Sequence, residues 1–143
     1  MLTAFYQQMG ESDCETIGSG FLAQPVNAVS SLVFSGIGLF VILWAMRVTG
    51  NERVVRIVFG ALMVLTGAGS VLFHGLQGPA ARFGHDATFL MAIWFLAITN
   101  VAGVYRWSQA LGWGVFVVGA LVLAGVLTVA SGAANVLMVA TVA

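Results

Sequence analysis

The chain has 143 residues, 60% of them apolar and only 7% charged. Soluble domains carry about 45–50% apolar and about 25% charged residues, so this composition excludes a water-soluble domain and reads as an integral membrane protein. Five basic residues balance five acidic ones, which leaves no basic surface for nucleic acid.

Residues 1–24 are polar to mixed, with Glu11, Asp13 and Glu15 close together. They show no basic stretch followed by an apolar one, so they do not read as a signal peptide, and the first apolar run serves as the insertion signal. Cys14 stands alone, so no internal disulfide is expected. Apolar runs then cover about residues 25–48, 54–77, 83–105 and 111–130. Each reaches the roughly 20 residues that cross a hydrocarbon core. Pro25 suits a first helical turn, where its missing N–H is not needed. Gly50 and Asn51 mark the first loop. Nothing alternates like a barrel strand, and in lipid only helices then satisfy their own backbone. The expected fold is all-α: one membrane domain, a multi-pass bundle of four full spans. Residues 133–143 read as a partial fifth span.

Arg47, Arg53 and Arg56 surround the first loop and Arg106 ends the third run, against Arg82 alone in the second loop. By the positive-inside rule the first and third loops are cytoplasmic and the N-terminus lies outside the cytoplasm. Trp107 and Trp113 are expected as interfacial anchors.

Helical spacing gives each run a face. In the second, Arg56, Gly60, Met63, Gly67, Ser70, His74 and Gln77 form one small or polar stripe. It is expected to meet Asn27, Ser30 or Ser31, Phe34 and Gly38 of the first run, and Asp86, Ile93 and Asn100 of the third, because small residues allow close approach and polar ones avoid lipid. In the fourth run Ala120, Ala124 and Thr128 form a packing seam.

The chemistry is expected between residues 67 and 86. Ser70 and His74 lie one turn apart on one face, and Asp86 follows a short turn that returns it to the same depth. An ionisable group at the edge of a hydrocarbon-embedded bundle is costly, which makes it a site hypothesis. His74 is a candidate zinc ligand, with Asp86 and Ser70 beside a metal-bound water and His85 as the alternative ligand. A Ser70–His74–Asp86 nucleophile triad is a second reading. The competing reading is a hydrogen-bond cluster that ties helices together. The pair His85 and Asp86 are about 100° apart on a helix, so their side chains are not expected to reach one point. Glu11, Asp13 and Glu15, with Gln24 and Asn27, are oxygen donors that a hard cation such as Ca2+ could use, against the plainer reading of a solvated acidic N-terminus.

Residues 13–34, DCETIGSGFLAQPVNAVSSLVF, resemble the opening of the alkaline ceramidase-like family and its bacterial relatives. GAGSVLFHGL, residues 67–76, is similar to that family's Gly-x-Gly-Ser-x-x-Phe-His motif, and His85-Asp86 falls where the family places its Asp. The likeness covers about residues 11–95. The family belongs to a superfamily of seven-helix membrane hydrolases that includes the adiponectin-receptor-like proteins. The resemblance implies a zinc-dependent amidase acting on a ceramide-like lipid in a bacterial inner membrane. It implies His74 as a zinc ligand, Ser70 and Asp86 beside the metal and its water, and Asp13 and Glu15 at a calcium site. Two departures stand out. Gln24 replaces a family Glu, which weakens a calcium site. The family's two further ligands, a His-x-x-x-His in the seventh helix, have no counterpart here, so weak zinc binding or none is expected of these residues alone. The alternative function is a non-catalytic membrane protein whose Ser–His–Asp cluster packs helices.

Overall fold

The structure, a computed structural model, describes residues 15–129. Asp13, Glu11 and Cys14, and the expected partial span at residues 133–143, lie outside them. The first span is α1 (Pro25–Ser30) followed by α2 (Leu32–Ala45), with an irregular turn at Ser31. Then come α3 (Gly50–Leu76), α4 (Pro79–Val104) and α5 (Gln109–Val129). Four helical stretches are long and apolar enough to cross a membrane, and the described residues contain no strand. The protein is an all-α, multi-pass integral membrane protein.

Two spans begin four residues earlier than expected. Arg53 and its neighbours are helical in α3, and Pro79 opens α4 at its first turn, where it suits the helix. Between them Gln77 adopts a left-handed conformation, φ 52°, and its N–H returns to the Phe73 carbonyl at 2.8 Å. This is a helix C-terminal turn usually made by glycine.

Each span packs mainly on its neighbour in sequence: α2 on α3, α3 on α4, α4 on α5, with α1 also against α3. The α2–α3 seam follows the expected stripe. A Cβ on Gly60 would lie 2.7 Å from the Gly38 carbonyl oxygen, and a Cβ on Gly67 would overlap Ser35. Ser35 in turn donates to the Val64 carbonyl at 3.2 Å. Arg56, at the end of the stripe, stacks its guanidinium 4.0 Å over the Trp44 ring and pairs with Glu52. Its stem runs along apolar surface while its charge is met locally.

Two expected faces are corrected. On α4 the buried residues are Ala87, Leu90, Ala92, Phe95 and Ile98, whereas Asn100 is exposed and donates to the Leu96 carbonyl of its own helix at 2.7 Å. An intrahelical carbonyl satisfies an outward amide, so that residue needs no partner helix. On α5 the contact seam leaves out Thr128, which is exposed and donates to the Gly125 carbonyl of its own helix at 2.7 Å, while Ala120 and Ala124 are half-buried. It runs through Phe116, Gly119 and Leu127, with Trp94 lying against Gly119 and donating to the Phe116 carbonyl at 3.1 Å. Trp94 is too large to face small side chains alone and needs a residue without one. Trp113 joins Phe95 and Phe116, ring centroids 5.9 and 6.1 Å away, in an aromatic core.

Candidate functional site

Ser70 is held first. It is buried on α3 and lies 2.7 Å from Ser31, Oγ to Oγ, where the first span breaks. The Ser31 hydroxyl also lies 2.6 Å from the Asn27 carbonyl and donates to it. A hydroxyl has one proton, so Ser70 donates to Ser31. The Ser70 proton is therefore directed away from His74, and the nucleophile triad has no Ser–His link in this arrangement.

His74 lies on the last turn of α3. Its Nδ1 is 2.7 Å from Gln24 Oε1. Gln24 is fully buried, at 0% exposure. Its Nε2 donates to the Glu15 carbonyl at 2.7 Å, its Oε1 accepts from Gln77 Nε2 at 3.0 Å, and its backbone N–H donates to the His74 carbonyl at 2.9 Å. Residues 23–24 thus clasp the end of α3, an arrangement completed by Ala23 N–H on the Gly75 carbonyl at 3.1 Å.

Glu15 sits at the start of α1. One carboxylate oxygen accepts from Val26 N–H at 3.0 Å and the other from Asn27 N–H at 2.8 Å. The four N–H groups that begin a helix have no partner within it, and a carboxylate there meets both the donors and the helix dipole. Of the residues expected at a calcium site, Glu15 and Asn27 are thereby brought together, with Glu15 acting as a cap. Replacing Glu15 by alanine is expected to cost about 1 kcal/mol, read as a lower melting temperature in detergent, with Glu15→Asp recovering part of it.

His85 and Asp86 bond to each other but do not converge on one point, as their separation of about 100° implies: His85 lines the cavity described below and Asp86 does not. His85 Nδ1 lies 2.9 Å from Asp86 Oδ1 within continuous helix, and Asp86 Oδ2 lies 3.5 Å from Arg82 Nε one turn back. Side chains of neighbouring residues can bend toward each other where the backbone angle alone separates them. His85 is stacked on Phe89, ring centroids 6.3 Å apart, and lies 5.5 Å from Phe73. The His74 and His85 rings are 5.9 Å apart, centroid to centroid.

These groups border a cavity of about 330 Å³ lined by Asn27, Ser31, Thr66, Ser70, His74 and His85, with Phe34 and Phe89 at its sides. It lies over α3 between the first span and α4. Asp86 is not among its lining residues; it stands behind His85. Of the expected site residues, Ser70, His74, His85 and Asn27 meet at this cavity, whereas Asp86 acts on it through a neighbour. Sequence reasoning missed Thr66 and Phe89, and it assigned Gln24 to a cation rather than to His74. Among the described residues no group of three or more His, Cys, Asp or Glu could hold a metal ion. A second cavity, of about 290 Å³, lies at the arginine-bearing end between Phe95, Trp107, Trp113 and Phe116 and carries no titratable group. Comparisons with family models, with curated proteins and with solved structures give no match to this chain.

Proposed function

We propose that the chain supplies part of a zinc-dependent membrane hydrolase of the ceramidase-like class, one that cleaves an amide bond in a lipid. The observation that carries this reading is the pairing of His74 and His85 beside Ser70, each imidazole hydrogen-bonded through Nδ1. Metal-binding histidines commonly use the other ring nitrogen to hold a carboxylate or carbonyl, which fixes the ring. In this reading His74 and His85 are two of the three protein ligands that a catalytic zinc takes. The third is not among the described residues. When bound, zinc supplies an acidified water and a Lewis acid for the carbonyl. Asp86, expected beside the metal-bound water, orients His85 and balances Arg82. Ser70 offers a hydroxyl at the cavity wall, and Phe34 and Phe89 give an apolar chain a surface to lie against. The site end faces the outside of a bacterial inner membrane, a topology that protease protection of tagged termini would check.

Metal analysis of the purified protein tests the reading. Where a residue outside those described completes the ligand set, stoichiometric zinc, lost in both His74→Ala and His85→Ala and kept in Asn100→Ala, is the expected result, together with release of fatty acid from an N-acyl lipid; His74 and His85 alone are expected to hold it weakly or not at all. Zinc absent from the wild-type protein would overturn it. The second reading is a non-catalytic helix-packing cluster, favoured by the Ser70–Ser31 hydrogen bond, which joins α3 to the first span without any metal. Calcium at Glu15 and Asn27 belongs to the same proposal and would appear as calcium-dependent heat in calorimetry.

A further inference from the structure

We infer that Ser70 meets the ligand of this cavity as a hydrogen-bond acceptor, so that the site selects a polar group carrying an N–H or O–H. Among the described residues, four hydroxyls line the cavity, on Ser30, Ser31, Thr66 and Ser70. A hydroxyl has one proton to give and two lone pairs to receive with. Ser30 gives its proton to the Asn27 carbonyl at 3.1 Å, and Ser31 gives its own to the same oxygen at 2.6 Å. Thr66 donates to the Leu62 carbonyl, one turn back, at 2.8 Å. A backbone carbonyl can only accept, so these directions are fixed. Ser70, 2.7 Å from Ser31, then has one course left, which is to donate to it. No hydroxyl of the wall keeps a proton for a ligand.

Ser70 differs from the other helical hydroxyls in where its proton goes. Serine and threonine inside a helix can bond back to a carbonyl of the preceding turn, as Thr66, Thr88 and Thr99 do here. Ser70 instead reaches across to the first span, at the break between α1 and α2. Its proton serves that joint, and what it has left for the cavity is a lone pair. A ligand N–H or O–H completes the hydroxyl. An ether or ester oxygen sets lone pair against lone pair. A site built to bond an N–H or O–H rejects the analogue that lacks one, because a buried polar group is then left unpaired. The acceptor wall stands by itself; identifying the donor as the N–H of a lipid amide rests on the proposed hydrolase. On that reading Ser70 separates amides from esters of the same chain. The amide's carbonyl oxygen is then served by another group, since Ser70 has no proton for it.

The test is a calorimetric titration of the purified protein with two isomeric probes, dodecanol and methyl undecyl ether, from the same detergent micelles. Each carries a single oxygen, only the alcohol can donate, and neither has an acyl bond to cleave. Binding elsewhere on the apolar surface is common to both, so the quantity read is the change in their affinity ratio on substitution. Ser70→Ala is expected to weaken dodecanol roughly three- to tenfold, the range of one net hydrogen bond, and to leave the ether unchanged. If Ser70→Ala does not fold, Ser70→Cys decides, since sulfur keeps the shape of the side chain and is a weak acceptor. The same affinity ratio in wild type and variant, whether both probes weaken or neither does, would overturn the inference. Zinc analysis and release of fatty acid from an N-acyl lipid, run on the same wild-type sample, separate the two claims. A ratio that depends on Ser70 in a protein without zinc sinks the hydrolase and leaves Ser70 its role. Bound zinc and cleavage with an unchanged ratio do the reverse.

Discussion

Gly38→Leu is expected to part the first two spans and to be strongly destabilising. A Cβ at Gly38 would lie 2.5 Å from the Gly60 carbonyl oxygen and 2.7 Å from the Val64 nitrogen. Both are backbone atoms of α3, so no side-chain rotation relieves the overlap and one helix must move. Overpacking of this kind costs roughly 1–3 kcal/mol, occasionally more, and backbone against backbone belongs at the upper end. Ser31–Ser70 and Ser35–Val64 would be stretched by the same displacement. The control is Gly36→Ala, two residues away on the same helix, where an added Cβ meets nothing within 4 Å. It should raise stability by about 0.5–1 kcal/mol, since glycine is a poor helix former. Thermal unfolding in detergent reads both. Equal melting temperatures for the two variants would show that the close crossing is absent in the protein.

Gly69→Leu is expected to disconnect the two imidazoles while leaving most of the fold in place. A Cβ at Gly69 would lie 3.1 Å from the His85 Cα and from the Gly84 carbonyl carbon. The remaining atoms of a leucine have to displace the start of α4, and His85 travels with that backbone. His74 is anchored separately, by Gln24, and stays. The ring separation of 5.9 Å should therefore grow. Magic-angle-spinning NMR should show weaker dipolar contact between the two labelled rings. If zinc binds as proposed, its affinity should fall at least tenfold, the range seen when a supporting group is lost. Gly84→Ala is the control, because a Cβ there meets nothing within 4 Å. An unaltered ring-to-ring contact in Gly69→Leu would mean that α4 is placed by something other than this crossing.

The spans were legible because composition and length in lipid leave few alternatives. The stripe through Gly60, Gly67, Ser70 and His74 was legible too, since small and polar residues on an apolar helix mark the side that avoids lipid. That logic fails for Asn100, whose amide can bond to its own helix and so carries no information about a neighbour. It fails at Gly119 for another reason: the seam is decided by Trp94 on the facing helix, and a sequence does not show which large residue needs the gap. The site was half legible. Spacing brought Ser70 and His74 to one face, but the partner of each comes from far along the chain. Ser31 and Gln24 are 39 and 50 residues distant from Ser70 and His74. No local pattern encodes those pairings. Asp86 was misplaced because its depth was inferred correctly while its direction was not: Arg82, one turn back, draws the carboxylate behind His85.

Two of the cavity's lining residues on α3, Thr66 and His74, set its depth profile. His74 is two residues from the end of that helix, while Thr66 is eight residues further in. At about 1.5 Å per residue the two are about 12 Å apart along the axis. On a helix that crosses a membrane, the His74 end is the nearer to the headgroups and the Thr66 end the nearer to the acyl chains. Water content and dielectric change steeply over that distance. An amphiphile already resident in the same leaflet would meet this cavity with its polar and apolar ends in register, without being lifted out of the bilayer or turned over. A water-borne polar molecule would instead have to surrender its hydration progressively from one end of the cavity to the other. On the proposed function the cavity would select by vertical alignment, set by where along a single helix the polar side chains stop.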